Sequence, residues 1–154
     1  MRRKDREITE TESIEKIIRK ADVCRIAMAN GDIPYIVTLN FGYSGGTHPC
    51  LYFHCAPDGR KLDMIQKNNR VCFEMDTDHV LINGKKGCDW GMNYSSVVGY
   101  GRISVIRETG SKILALNCIM SQYSELTHPV YDQKMVERTT LLRLDIEEMT
   151  GKRK

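Results

Sequence analysis

The chain has 154 residues, enough for one domain with a core of its own. Hydrophobic residues at 41% and charged residues at 28% exclude general disorder and a disulfide-stapled miniprotein. The formal charge is +3, but MRRKDR at the start contributes +3 and GKRK at the end another +3, which leaves −3 for residues 7–150. Such a body offers no broad basic face for nucleic acid. No apolar run is long enough for a membrane span, and the charged start lacks the apolar stretch of a signal peptide. The expectation is therefore a cytoplasmic protein with no nucleic-acid or membrane partner. The six cysteines contain no C-x-x-C pair and read as reduced, small apolar residues.

Thr9-x-x-Glu12 fits a capping box, and Ile14, Ile17, Ile18 and Ala21 follow at helical spacing to about Asp22. Val23–Ala29 reads as a strand. Asn30-Gly31 signals a hairpin of the type I′ class, with a partner strand over Pro34–Phe41. A loop carrying Gly42, Gly45, Gly46 and Pro49 precedes a strand at Cys50–Cys55. Pro57-Asp58-Gly59 turns the chain into a helix at Arg60–Asn69. Strands follow at Val71–Asp76 and His79–Ile82, then an irregular loop over Gly84–Asn93 with Trp90. Ser95–Ile106 is a long strand whose Gly99 and Gly101 mark a bend or bulge. Thr109–Tyr123 is an amphipathic helix with Ile113, Leu116, Met120 and Tyr123 on one stripe. A short helix at Tyr131–Arg138 and a strand at Thr140–Ile146 follow. Residues 1–8 and 151–154 read as solvated basic tails. Six or seven hairpin-linked strands and three helices make one α+β domain, an antiparallel sheet or barrel with segregated helices.

No G-x-x-x-x-G-K-[ST] loop is present, and Gly99-Tyr100-Gly101 lies inside a strand, so no dinucleotide fingerprint is formed. Gly59-Arg60-Lys61 is the better anion candidate. Two cations stand where a turn enters a helix, and the N–H groups and dipole of a helix start attract an anion. His48, Cys50, His54 and Cys55 do not make a metal site. His54 and Cys55 point to opposite faces, and Cys50 and His54 lie about 13 Å apart along a strand. The same alternation prevents Cys55 and His54 from forming a nucleophile pair. Asp76 and Asp78 read as a turn rather than an acid–base couple. His54, on the face of Tyr52 and opposite Leu51, Phe53 and Cys55, stands a few residues before Arg60 and Lys61. A strand end followed by a cationic helix start makes a pocket for an anionic ligand. Trp90, near Tyr94, Ser95 and Ser96, is placed to cover a planar one.

The run LYFHCAPDGRKLDMIQKNNRVCFEMD, residues 51–76, resembles the pyridoxamine 5′-phosphate oxidase-like flavoproteins with the FMN-binding split barrel. MRRKDREI, PYIVTLNFGY, YFHCAPDGRKLD, CDWGMNYSSVVGYGR and IEEMTGKRK, in that order, resemble its 5-nitroimidazole-resistance branch. The resemblance covers nearly the whole chain. It implies a split β-barrel with flanking helices, and a homodimer with FMN at the subunit interface. The flavin ring would run along Val37, Thr38, Leu39 and Asn40 by backbone contacts. His54, Cys55, Ala56, Gly59, Arg60 and Lys61 would line the phosphate end and its approach. Trp90, Ser95, Ser96 and Val97 would be supplied partly by the other subunit. His54 matches a histidine near the flavin in such proteins and is the candidate catalytic residue. Relatives often carry proline at the position of Thr38 and a basic residue at that of Ser95.

The implied activity is an FMN-dependent oxidoreductase. Electrons would come from a nicotinamide or other donor and pass to a small acceptor such as a nitroaromatic. The alternatives are a flavin-binding sensor or carrier without turnover, or a split barrel holding deazaflavin or haem.

Overall fold

Strict apolar alternation lays down the core side of the sheet. Cys24, Ile26 and Met28 on β2 (Cys24–Asn30) face inward, with Val71, Phe73 and Met75 on β6 (Arg70–Ile82). Val97 and Ile103 on β7 (Gly91–Ile106) face the same interior, as do Leu142 and Leu144 on β8 (Thr140–Arg153) and Leu51 and Phe53 on β5 (Cys50–Cys55). Leu51 lies opposite Leu144, and Phe53 opposite Leu142, so the core is built from cross-strand pairs. Each such side chain contributes roughly 1.5–3 kcal/mol on burial. These positions belong to the computed structural model of the chain, which describes residues 3–126 and 129–154. Met1 and Arg2 of the basic start lie outside the described residues.

The strands form one open antiparallel sheet in the order β3-β2-β6-β7-β8-β5-β4, with β1 (Glu7–Ile8) added on β8. β3 is Ile33–Leu39 and β4 is Gly42–Ser44. Helix α1 (Thr11–Lys20) packs Ile14, Ile17 and Ile18 into the core, and α2 (Arg60–Lys67) does so with Leu62, Met64 and Ile65. Helix α3 (Thr109–Tyr123) and α4 (Gln133–Arg138) complete the flanks. The architecture is the α+β split barrel that the resemblance implies.

Several local expectations change. The N-cap of α1 is Glu10, not Thr9, and the Thr9 hydroxyl instead bonds the Glu10 carboxylate at 3.4 Å. Asn30 pairs with Ile33, so the hairpin turn is Gly31-Asp32, and only Gly31 has positive φ, at 63°. That meets the type II′ requirement rather than type I′. Gly42–Ser44, expected in a loop, pairs with Cys50–Tyr52. A Cβ on Gly42 would stand 2.4 Å from the Cys118 backbone, so glycine lets α3 close onto β4. The two strands expected at 71–76 and 79–82 are one strand, β6, with a bulge at Asp78, whose φ is 60°.

The stripe of α3 is rotated from its expected position. Ala115 and Ile119 are buried, joining Leu141 in a small second core, whereas Ile113 and Tyr123 are exposed. Tyr123 is held by its hydroxyl, which donates to the Asp22 carbonyl at 2.9 Å and accepts from the Phe41 N–H at 3.0 Å. Glu7, Ile8, Gly151 and Lys152, expected in solvated tails, are sheet residues. Glu7 pairs with Lys152 and Ile8 with Gly151, so the two ends of the chain form one ladder.

Candidate functional site

The Gly59-Arg60-Lys61 step is set by backbone geometry. Gly59 has φ 119°, a conformation that favours glycine, and its carbonyl accepts from Leu62 and Asp63 to start α2. The N–H groups of Arg60 and Lys61 precede the first helical hydrogen bonds and have no partner among the described residues. Apolar contacts of Leu62, Met64 and Ile65 fix the helix beneath them. The Arg60 guanidinium lies 4.7 Å from the ring centroid of Tyr35 on β3. Lys61 sits beside Cys55. Burial pushes the Cys55 thiol up and Lys61 opposes it, with the balance upward. Cys55 is thus held as a thiol rather than a nucleophilic thiolate.

β3 is the edge strand of the sheet, so one side of its backbone is unpaired. Tyr35, Val37 and Leu39 are half-buried against the core, while Ile36 and Thr38 point outward. Asn40 follows directly and is exposed. The step and the edge strand are therefore joined through Arg60 and Tyr35. Tyr35 escaped the sequence reading. Its inward phase with Val37 and Leu39 was the available signal.

The other candidate residues divide by face. Cys55 packs against the core, and His54 is exposed on the reverse face, across the ladder from Leu141. The structure brings Arg60, Lys61, Tyr35 and Cys55 together and leaves the His54 side chain behind them. Ala56 is exposed at the strand end. Ser95 is buried, and its hydroxyl accepts from Arg153 Nε at 3.3 Å. Val97 lies in the core. Only Ser96 of these three points to the outer face, between Asp76 and Lys152 in the ladder. Trp90 is 52% exposed beside the start of β7.

The outer face of the sheet is apolar across one continuous row. Ile36, Ala27, Cys72 and Tyr100 are successive register partners on β3, β2, β6 and β7. A cleft of about 400 Å³ opens along it between Ala27, Ala29, Pro34, Cys72 and Tyr100. Ile36 is 64% exposed and Tyr100 42%. Contiguous apolar exposure of this kind marks a contact surface.

Next to this row lies a polar cleft of about 340 Å³. Arg25 donates to Asp76 at 2.6 Å and to Glu74 at 3.0 Å, His79 Nε2 stands 3.0 Å from Asp76, and Lys20 pairs with Asp78. Asp76 and Asp78, expected in a turn, lie instead within β6 at its bulge, and each pairs with a cation, Arg25 and Lys20 respectively. Burial raises the Asp76 carboxyl, but Arg25 and then His79 outweigh it and hold it below its ordinary value. A depressed carboxyl contributes stability above its unfolded pKa of about 3.9, which is lost as pH falls through the folded value. Arg25→Gln is expected to destabilise at pH 7. The difference from the parent should shrink as pH falls below about 4, measured by urea denaturation across pH.

Residues 10–153 match the family described as pyridoxamine 5′-phosphate oxidase. No curated protein matches the chain. Among solved structures, a candidate 5-nitroimidazole antibiotic resistance protein from Bacteroides thetaiotaomicron is 31% identical, with a TM-score of 0.83 over 95% of this chain and 85% of that one. A flavocytochrome from Azotobacter vinelandii is 18% identical, with a TM-score of 0.80 over 100% of this chain and 72% of that one. An FAD-binding protein from Mesorhizobium loti is 24% identical, with a TM-score of 0.69 over 97% of each chain. At these lower identities the likeness is one of fold. With a family match over almost its full length and a 31% identical relative of the same architecture, the chain belongs to the pyridoxamine 5′-phosphate oxidase family.

Proposed function

We propose that the chain is an FMN-binding flavoprotein that works as a homodimer and passes electrons to a small acceptor. The acceptor class suggested by the Bacteroides relative is a nitroaromatic. The observation that carries the reading is the cradle at the start of α2. Arg60, Lys61 and their unpartnered N–H groups gather at one helix start next to the unpaired edge of β3, a set of donors suited to a phosphate.

The residues fit the group. A phosphate monoester carries about −1.5 to −2 charge, which one Arg and one Lys at a helix start neutralise. The positive end of α2 adds to that attraction. Gly59 at φ 119° keeps the approach free of a side chain. The unpaired N–H and C=O groups of β3 and of Asn40 supply main-chain donors and acceptors for a flat polar ring. When bound, the flavin supplies the redox chemistry, and the protein binds, orients and limits solvent. His54 lies behind the cradle, and the reading gives it no proton to move.

The row of Ile36, Ala27, Cys72 and Tyr100 supports a second copy as its cover, because it runs straight from the edge strand that the ring would use. Sedimentation should give a dimer. The double variant Ile36→Asp/Tyr100→Asp should be monomeric and bind FMN at least tenfold more weakly. A parent that sediments as a monomer would remove the dimer from the proposal.

Turnover is tested by anaerobic mixing of the FMN-loaded protein with NADH or NADPH, then with a 5-nitroimidazole. Bleaching followed by recovery of the flavin band on adding the acceptor supports the reductase. Binding without bleaching supports a carrier or sensor.

A further inference from the structure

The Arg60 side chain opens α2 with one polar or ring partner among the described residues, and that partner is a ring. Its guanidinium lies 4.7 Å from the ring centroid of Tyr35 and forms no ion pair or hydrogen bond there. Asp63, on the same helix, lines a cleft of about 210 Å³ with Arg60, yet the two are not paired. Arg143 shows the other arrangement: 5.9 Å from the Tyr52 ring centroid, it also spends its Nε–H on Asp145 at 2.7 Å. A ring takes a guanidinium by its face and leaves the in-plane N–H donors free, whereas a carboxylate consumes them. The Tyr35 ring is itself fixed. Tyr35 lies opposite Met28 in the hairpin, in phase with Val37 and Leu39, and packs half-buried against the core. On the other side, Gly59 at φ 119° and the apolar contacts of Leu62, Met64 and Ile65 fix the backbone that carries Arg60.

We propose that Tyr35 is the positioning residue for Arg60, and that through it the site selects a phosphorylated ligand over the same ligand without its phosphate. The inference rests on the flavin reading, which gives Arg60 a phosphate to hold, and adds how the cation is kept ready for it. An arginine loses rotamer freedom when it grips a ligand, and one already held against a ring has lost part of it on folding. The N–H donors of the guanidinium remain for phosphate oxygens, beside the free backbone N–H groups of Arg60 and Lys61. The gain exists only where the ligand carries an anion at the helix start. A neutral ligand on the edge of β3 draws nothing from it.

The test compares FMN with riboflavin, which has the same ring and no phosphate, by flavin fluorescence titration of the full chain. Tyr35→Leu should weaken FMN about five- to tenfold and leave riboflavin within about twofold. Tyr35→Phe, which keeps the ring and drops the hydroxyl, should hold FMN within about twofold of the parent. In an Arg60→Gln background, Tyr35→Leu should change FMN affinity by less than about twofold, because the ring acts through that cation. Equal losses of FMN and riboflavin in Tyr35→Leu, no loss of either, or failure of Tyr35→Phe to keep FMN affinity overturns the inference. A chain that takes neither flavin removes the flavin reading and leaves Tyr35 to be decided with inorganic phosphate, read from the amide resonances of Arg60 and Lys61. Weaker phosphate binding by Tyr35→Leu than by the parent then upholds the inference, and equal or absent binding overturns it.

Discussion

Arg60→Gln/Lys61→Gln is expected to weaken FMN binding by roughly two to four orders of magnitude, with little change in fold. Hydrogen bonds to charged groups contribute about 1.5–3 kcal/mol each, and this variant removes two such partners from one phosphate. The helix itself should survive, because Leu62, Met64 and Ile65 hold it and neither cation is part of the core. Arg60→Lys should cost about tenfold, since it keeps the charge and loses the planar fork that both grips phosphate and stacks on Tyr35. Lys67→Gln, at the far end of the same helix, should leave affinity within about twofold. Flavin fluorescence titrations on these variants, with thermal melts as the control, decide the matter. Equal affinity in the parent and the double variant would remove the cradle from phosphate binding.

Gly101→Ala is expected to destabilise the chain by about 3 kcal/mol, near the upper end of what overpacking costs. A Cβ there would stand 2.1 Å from the Asp145 carbonyl oxygen and 2.9 Å from the Leu144 side chain. The ladder shifts register between Tyr100 and Gly101, so β7 and β8 close most tightly where the sheet bends. Neither backbone can retreat, because β7 is hydrogen-bonded to β6 on its other side. A fall in Tm of about 6–12 °C follows for a chain of this size. Gly87→Ala, with open space around it, should stay within about 0.5 kcal/mol. An unchanged melt for Gly101→Ala would contradict the close approach of the two strands.

Gly101 also shows how far the sequence carries. A glycine pair inside an alternating strand signals a bulge, because nothing else explains the missing side chains, and the register shift is found there. The hairpin, α2 and the inward faces of β2, β6 and β7 were legible for the same reason: their periodicity is local. The orientation of His54 away from Cys55 followed from alternation alone. What failed to show depends on partners distant in sequence. β1 is two residues long and has no pattern of its own; only β8 makes it a strand. β4 is hidden among glycines whose value lies in letting α3 approach. The two basic ends looked like solvated tails because charge was counted along the chain, whereas the ladder joins them in space. Tyr35 became a site residue only when α2 laid Arg60 across it.

The most direct test of the central claim is titration of the purified chain with FMN, monitored by absorbance and by flavin fluorescence. The expected result is a saturable flavin band with a stoichiometry of one FMN per chain, lost in Arg60→Gln/Lys61→Gln. A parent chain that stays colourless and leaves the flavin spectrum unchanged across the titration would contradict it.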